Sequence, residues 1–168
     1  MLVPHWDTVL HTVNGFLFGA IGFSIVNLLN DNKRISMSLS PFYMAVAAFC
    51  FSMTIGVLWE FFEWGMDIFF HTDMQKDTLV TAIHSVTIHP EGKNIPISIT
   101  EIAGAQLILA DGSVLPMNID GYLDIGLNDT MKDLLVNLIG AIVFSIIYFS
   151  LIFVLKTAQK FSNFKLKF

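Results

Sequence analysis

The sequence predicts an all-α membrane bundle of three transmembrane helices carrying a small extracytoplasmic β-hairpin or meander insert. Three observations predict it. Hydrophobic residues make up 54% of the 168-residue chain and the mean hydropathy is +0.66, against about 45–50% apolar residues in a soluble domain. Three apolar runs are each long enough to cross a hydrocarbon core of about 30 Å at about 1.5 Å per residue. Between the second and third runs, residues 71–127 change to short β-branched stretches punctuated by Asp, Gly and Pro. The chain thus divides into 1–70 for the first two spans, 71–127 for the insert, and 128–168 for the third span and a basic tail.

Pro4 marks a helix start ahead of the first span, residues 9–29. It contains Gly15, Gly19 and Gly22, and the Gly15-x-x-x-Gly19 pair would let another helix approach closely. The run ends in the polar turn Asn30-Asp31-Asn32-Lys33-Arg34, which is no cleavage site, so a cleavable leader is not expected. The second span, from Pro41 to Phe70, would run about 45 Å, longer than the hydrocarbon core, so it must tilt, break near Gly56 or project. Its lone cysteine, Cys50, can form no intrachain disulfide and reads as a small buried apolar residue. In the insert, residues 85–89 and 95–99 read as strands around the turn Pro90-Glu91-Gly92-Lys93-Asn94. Residues 106–109 and 113–115 flank Asp111-Gly112, a hairpin signal, and Pro96 and Pro116 point to edge positions. The third span begins near Asp129, and its apolar part is residues 134–155.

Charge sets the orientation. Lys33 and Arg34 in the first turn, with Lys156, Lys160, Lys165 and Lys167 at the end, are six of the nine basic residues. By the positive-inside rule both places are cytoplasmic, which puts a multi-pass protein in the cytoplasmic (inner) cell membrane with the insert outside. The tail, with Phe161, Phe164 and Phe168 between its lysines, reads as an anchor at the anionic leaflet.

That topology brings three polar stripes to one depth. Asp7, His11 and Asn14 share a face of the first span; Glu60, Glu63 and Asp67 share one on the second; Asp129, Asp133 and Asn137 share one on the third. Carboxylates at membrane depth are costly unless a metal, protons, partners or water neutralise them. Oxygen ligands with one imidazole suit Mg²⁺, Mn²⁺ or Zn²⁺. The ligand set expected is His11, Glu60, Glu63 and Asp129, with Asp133 or Asp67 as general base and Asp7, Asn14, Asn137 and Lys132 in support. The plain alternative is that these groups only hydrogen-bond the helices together.

Other chemistry finds no footing. There is no Gly-x-Ser-x-Gly, no phosphate loop or dinucleotide fingerprint, and no basic patch for nucleic acid. His84 and His89 alternate with apolar residues and read as solvent-facing strand positions, while His5 and His71 fall near the site's level without a spacing that selects them.

The motifs Trp6-Asp7-x-x-x-His11-x-x-x-Gly15, Trp59-Glu60-x-x-Glu63-Trp64 and Asp129-Thr130-x-x-Asp133-x-x-x-Asn137-x-x-Gly140-Ala141, in that order, resemble the YjdF-type family of bacterial integral membrane proteins and, more distantly, the VanZ-like group. The resemblance covers all three spans and strengthens the site without supplying a reaction. Gln75-Lys76-Asp77-Thr78 and Gly121-Tyr122-Leu123-Asp124 keep the family's flavour on either side of an insert longer than the connection expected there. That family usually carries further spans before the Asp-x-x-x-His helix, so the resemblance implies either a shortened form or a bundle completed by a second copy or other membrane subunits, besides the membrane lipids.

Three functions fit: a metal-dependent hydrolase or transferase acting on a lipid or lipid-linked substrate at the outer leaflet; a non-catalytic envelope accessory protein; or a proton- or cation-coupled transporter subunit. Against the last, polar residues deep in the third span reduce to Ser145, Tyr148 and Ser150.

Overall fold

The structure, a computed structural model, describes residues 6–30 and 39–165, without side-chain placements at 156 and 159–165. The expected readings for Pro4, His5, Lys33, Arg34, Lys167 and Phe168 fall outside the described residues.

The apolar runs form α1 (Trp6–Asn30), α2 (Pro41–Phe70) and α3 (Leu127–Lys165), each with a stretch long and apolar enough to cross a membrane. Local chemistry sets the ends of α2. Ser40, in extended conformation, accepts the Tyr43 N–H at 3.4 Å, and Pro41 occupies the first turn, where its missing N–H costs nothing. At the other end His71 turns left-handed (φ 54°) and returns its N–H to the Asp67 carbonyl at 3.1 Å. Gly56 does not break α2, which is helical throughout its 30 residues. α3 runs on past the apolar stretch through Lys165, so the basic tail continues the helix as far as that residue.

The interior is small and polar, while large apolar side chains face outward. The buried apolar residues are Met44, Ala45, Ala48 and Ala141; the buried polar ones are His11, Ser52, Glu60, Glu63, Asp129, Asp133 and Asn137. Water would penalise that distribution, but lipid solvates the outer Phe, Leu and Ile and leaves van der Waals fit and hydrogen bonds to join the helices. Glycines make the fit. A Cβ on Gly15 would strike the Asn137 backbone carbonyl, and one on Gly140 would strike the Thr12 carbonyl. Gly19 sits against Phe144 and Gly22 against Phe51. Ser52 Oγ donates to the Gly15 carbonyl at 2.6 Å, tying α2 to the same crossing. Cys50, expected to be buried, is exposed instead, on a helix face turned to the surroundings.

The insert consists of three antiparallel pairs. β1 (Leu79–Val80) pairs with β6 (Tyr122–Leu123), and inside that frame β2 (Ile83–Ser85) pairs with β3 (Ile97–Ile99) and β4 (Gln106–Ile108) with β5 (Val114–Pro116). The Asp111-Gly112 hairpin forms as expected, with Gly112 at φ +83°. The strand expected over 85–89 ends at Ser85: the Val86 carbonyl accepts from His89 N and the His89 carbonyl from Gly92 N, so the chain is already turning. His84 is an exposed strand residue, whereas His89 Nδ1 accepts from Glu91 N and Lys93 N within the turn. No apolar side chain of the insert is buried among the described residues.

Candidate functional site

At the insert end of the bundle the three polar stripes meet around His11. Its position is set by α1, whose i, i+4 spacing also puts Asp7 one turn away. His11 Nε2 lies 3.7 Å from Asp7 Oδ1 and 3.7 Å from Asp133 Oδ2, and Nδ1 lies 3.7 Å from Glu60 Oε1. The imidazole therefore stands between two sets of carboxylates. Asp7 and Asp133 face one nitrogen; Glu60 faces the other, with Glu63 completing that group.

Each set offers three donor atoms that lie within 4.8 Å of one another: Asp7, His11 and Asp133, or His11, Glu60 and Glu63. Three evenly spaced ligands at about 2.1 Å from one divalent ion are no more than about 3.6 Å apart, so a contraction of up to about 1.2 Å would close either set on an ion. The second set is wholly buried. Its Glu63 Oε1 accepts from Trp59 Nε1 at 2.8 Å, one turn back on α2, which fixes the carboxylate's direction. Both oxygens of Glu60, and Oδ1 of Asp133, are buried without a hydrogen-bond partner. Such orphans are expensive in a low-dielectric interior unless a cation or proton meets them.

Asp129 and Asp67 have other work. Asp129 Oδ2 accepts the Lys76 N–H at 2.9 Å, and Asp67 accepts from Thr72 Oγ1, Met74 N and Gln75 N at 2.7, 2.7 and 2.8 Å. Neither joins the two ligand sets, whereas Asp7 and Asp133 do. Lys132 lies 3.9 Å from Asp129 and is exposed. Asn14 and Asn137 line, with His11, Gly56 and Trp59, a small cavity of about 140 Å³ between the helices, roomy enough for water. Asn137 is 2% exposed, and its Nδ2 donates to Met53 Sδ at 3.5 Å. His71 ends α2, exposed and outside the ligand sets.

Sequence spacing missed the segment that roofs the site. After α2, Thr72 to Lys76 folds back over the bundle, held by Asp67 and Asp129 as above and by Lys76 Nζ, 2.5 Å from Asp7 Oδ2. Gln75 Nε2 donates to Thr130 Oγ1 at 2.6 Å, so all three helices grip this one segment. The Lys76 ammonium is held above its ordinary pKa: the hydrogen bond to Asp7 raises it, partial burial pulls it back, and the charges of Asp7, Asp129 and Asp133 add to the rise. On the returning strand Asp124 accepts from Thr78 N, Asn128 N and Gly126 N at 2.8, 2.9 and 3.2 Å and so starts α3. Burial opposes its charge, but those N–H groups outweigh burial and hold the carboxyl below the usual range. The motifs flanking the insert were the available signal for these residues.

The model of a family described as "Predicted membrane protein (DUF2238)" matches residues 2–153. The chain belongs to that family. The resemblance to YjdF-type membrane proteins is consistent with it. In this family member the matched stretch takes in all the ligand-capable residues above and ends two residues short of the end of the apolar part of α3. No curated protein and no solved structure matches the chain.

Proposed function

We propose that this membrane protein is a metal-dependent hydrolase or transferase of the cytoplasmic membrane, acting at the outer leaflet on a lipid or lipid-linked substrate. One observation carries the reading: a buried imidazole stands between two carboxylate sets, and three carboxylate oxygens there have no hydrogen-bond partner. A Mg²⁺, Mn²⁺ or Zn²⁺ ion held by His11, Glu60 and Glu63 would meet one of the two orphaned Glu60 oxygens, and the single imidazole favours Mn²⁺ or Zn²⁺ over Mg²⁺. Asp133, whose Oδ2 lies 3.7 Å from the opposite imidazole nitrogen, would orient that ring and would be the general base for a water that such an ion would activate. The small cavity lined by Asn14 and Asn137 would hold that water.

The carrier alternative has less support, since beyond Asn137 the buried polar residues along the bundle reduce to Ser52 among the described residues. The test is elemental analysis of detergent-purified wild type beside Glu63→Ala and Asp133→Ala. Stoichiometric metal in the wild type, lost or much reduced in both variants, supports the reading and directs a screen of lipid phosphates. Metal-free wild type overturns it and leaves a proton site or helix-to-helix bonding.

A further inference from the structure

A groove of about 680 Å³ lies between α2 and α3 at the insert end. Val57, Phe61 and Trp64 form one wall and Leu127, Thr130 and Leu134 the other. Eight residues of helix on each side, seven rises of about 1.5 Å, give it a depth of about 10 Å. Its roof is polar, formed by Gln75 and the turn from Asp124 to Gly126, where Ile125 holds a left-handed φ of 51° and is 82% exposed. Glu60 lines it too, and is the one residue that the groove shares with the ligand sets.

What fills this groove is constrained from two directions. Its walls belong to helices long and apolar enough to cross a membrane, and its lining there is apolar, so a lipid chain is the medium that suits it. An apolar helix laid there would leave Glu60, 96% buried and with neither oxygen hydrogen-bonded, without a donor. Gln75 and Thr130 stand beside Glu60, Gln75 Nε2 donating to Thr130 Oγ1, without making a hydrogen bond to either Glu60 oxygen, and Asp124 is committed to the start of α3. Glu60 thus has acceptor capacity left at the inner wall of an apolar slot capped by polar groups. A second groove between the same helices, about 340 Å³ and lined by Phe42, Phe49, Ile142 and Phe149 among others, offers no carboxylate and no such constraint.

We propose that the α2/α3 groove binds a membrane lipid, its chain against Val57, Phe61 and Leu134 and its headgroup presenting hydrogen-bond donors, hydroxyl or ammonium, to Glu60. This rests on the proposed function only in making Glu60 common to both, and it names the substrate class that function would act upon: a lipid that brings its donor group from the bilayer sideways to the edge of the ligand set.

The test uses the full chain in phosphatidylcholine vesicles with three photoreactive lipids, each with a diazirine in one acyl chain: a diacylglycerol, a phosphatidylethanolamine and a phosphatidylcholine, whose headgroup has no N–H or O–H donor. Labelled peptides should map to residues 57–64 and 127–134, with at least a fivefold preference for one or both donor lipids. The preferred one tells hydroxyl from ammonium. Val57→Trp should lower that labelling at least fivefold with metal content unchanged, and Glu60→Leu should abolish the donor preference. Labelling spread evenly over all three helices, or equal for the three probes, overturns the proposal; so does protection of the groove from every probe, the mark of a second copy seated there. The wild-type map decides even if Val57→Trp misfolds. Selective labelling of a metal-free protein would sink the enzymatic reading alone, and metal without selective labelling would sink this one alone.

Discussion

Lys76 reaches across 69 residues of sequence to place its ammonium 2.5 Å from the Asp7 carboxylate, fastening the first loop of the insert to the head of α1. The pair is partly exposed, so it contributes about 0.5 kcal/mol rather than several. Its pH dependence has a definite sign. Lys76 titrates above its unfolded value of 10.5, so its stabilisation is fully present below pH 10.5 and fades as pH rises through the folded value. Lys76→Met should speed amide exchange over residues 72–76 at neutral pH, and alkaline solution should do the same to the wild type. Equal exchange in both proteins at pH 7 would show that the pair holds nothing.

Asp124 gives the opposite sign. Its carboxyl titrates below the unfolded value of 3.8, so its stabilisation is present above pH 3.8 and is lost as pH falls through the folded value. Asp124→Ala should destabilise the start of α3 by about 1 kcal/mol and remove this part of the acid sensitivity. Circular dichroism of both proteins from pH 6 to pH 2 checks it.

His11 touches both carboxylate sets, so its removal should do what no single acid does. His11→Gln is expected to lower metal affinity by more than the roughly 10–100-fold typical of losing an outer partner, whichever set holds the ion. Isothermal titration of the stripped protein with Zn²⁺ and Mn²⁺ measures this, and an unchanged affinity would place the ion elsewhere.

Asp67 separates holding from chemistry. Asp67→Ala removes the acceptor for Thr72, Met74 and Gln75 and should cost about 1–3 kcal/mol, while metal content stays at the wild-type level. Loss of bound metal in this variant would mean that the roof, or Asp67 itself, contributes to the ligand set.

Glycines supply a stability test with an internal control. Gly140→Ala drives a Cβ into the Thr12 carbonyl and should destabilise the α1–α3 crossing by about 1–3 kcal/mol. Gly65→Ala meets nothing within 4 Å and should be neutral or stabilising by up to about 1 kcal/mol. Unfolding of both variants in mixed detergent micelles reads the difference.

The spans could be read from sequence because an apolar run of about 20 residues has few other fates, and the stripes because i, i+3 and i, i+4 spacing fixes a helix face whatever the tertiary context. Spacing could place Glu60, Glu63 and His11 at one level. It could not say that Asp129 would turn to the Lys76 N–H while Asp133, one turn deeper, would face the imidazole. That choice depends on the rotation of α3 about its axis, set where Gly140 meets Thr12 and Gly15 meets Asn137. Gly15 and Gly19 announced themselves as a pair, whereas Gly56 and Gly140 had no companion at the same spacing. Cys50 misled because burial in a soluble core was the reference, whereas lipid solvates an outward-facing thiol without a hydrophobic penalty.

The pairing of Val80 with Tyr122 brings the two ends of the insert side by side, at the spacing of adjacent strands. Everything from residue 81 to 121 is therefore a pendant hung from a single narrow doorway, and its length is mechanically invisible to the helices. A short turn could bridge that doorway, and a larger domain could be grafted there, without altering where Asp67, Lys76 or Asp124 stand. Natural variation in chain length should collect at this doorway, which also makes residues such as Gly92 and Gly112 the places to attach a reporter.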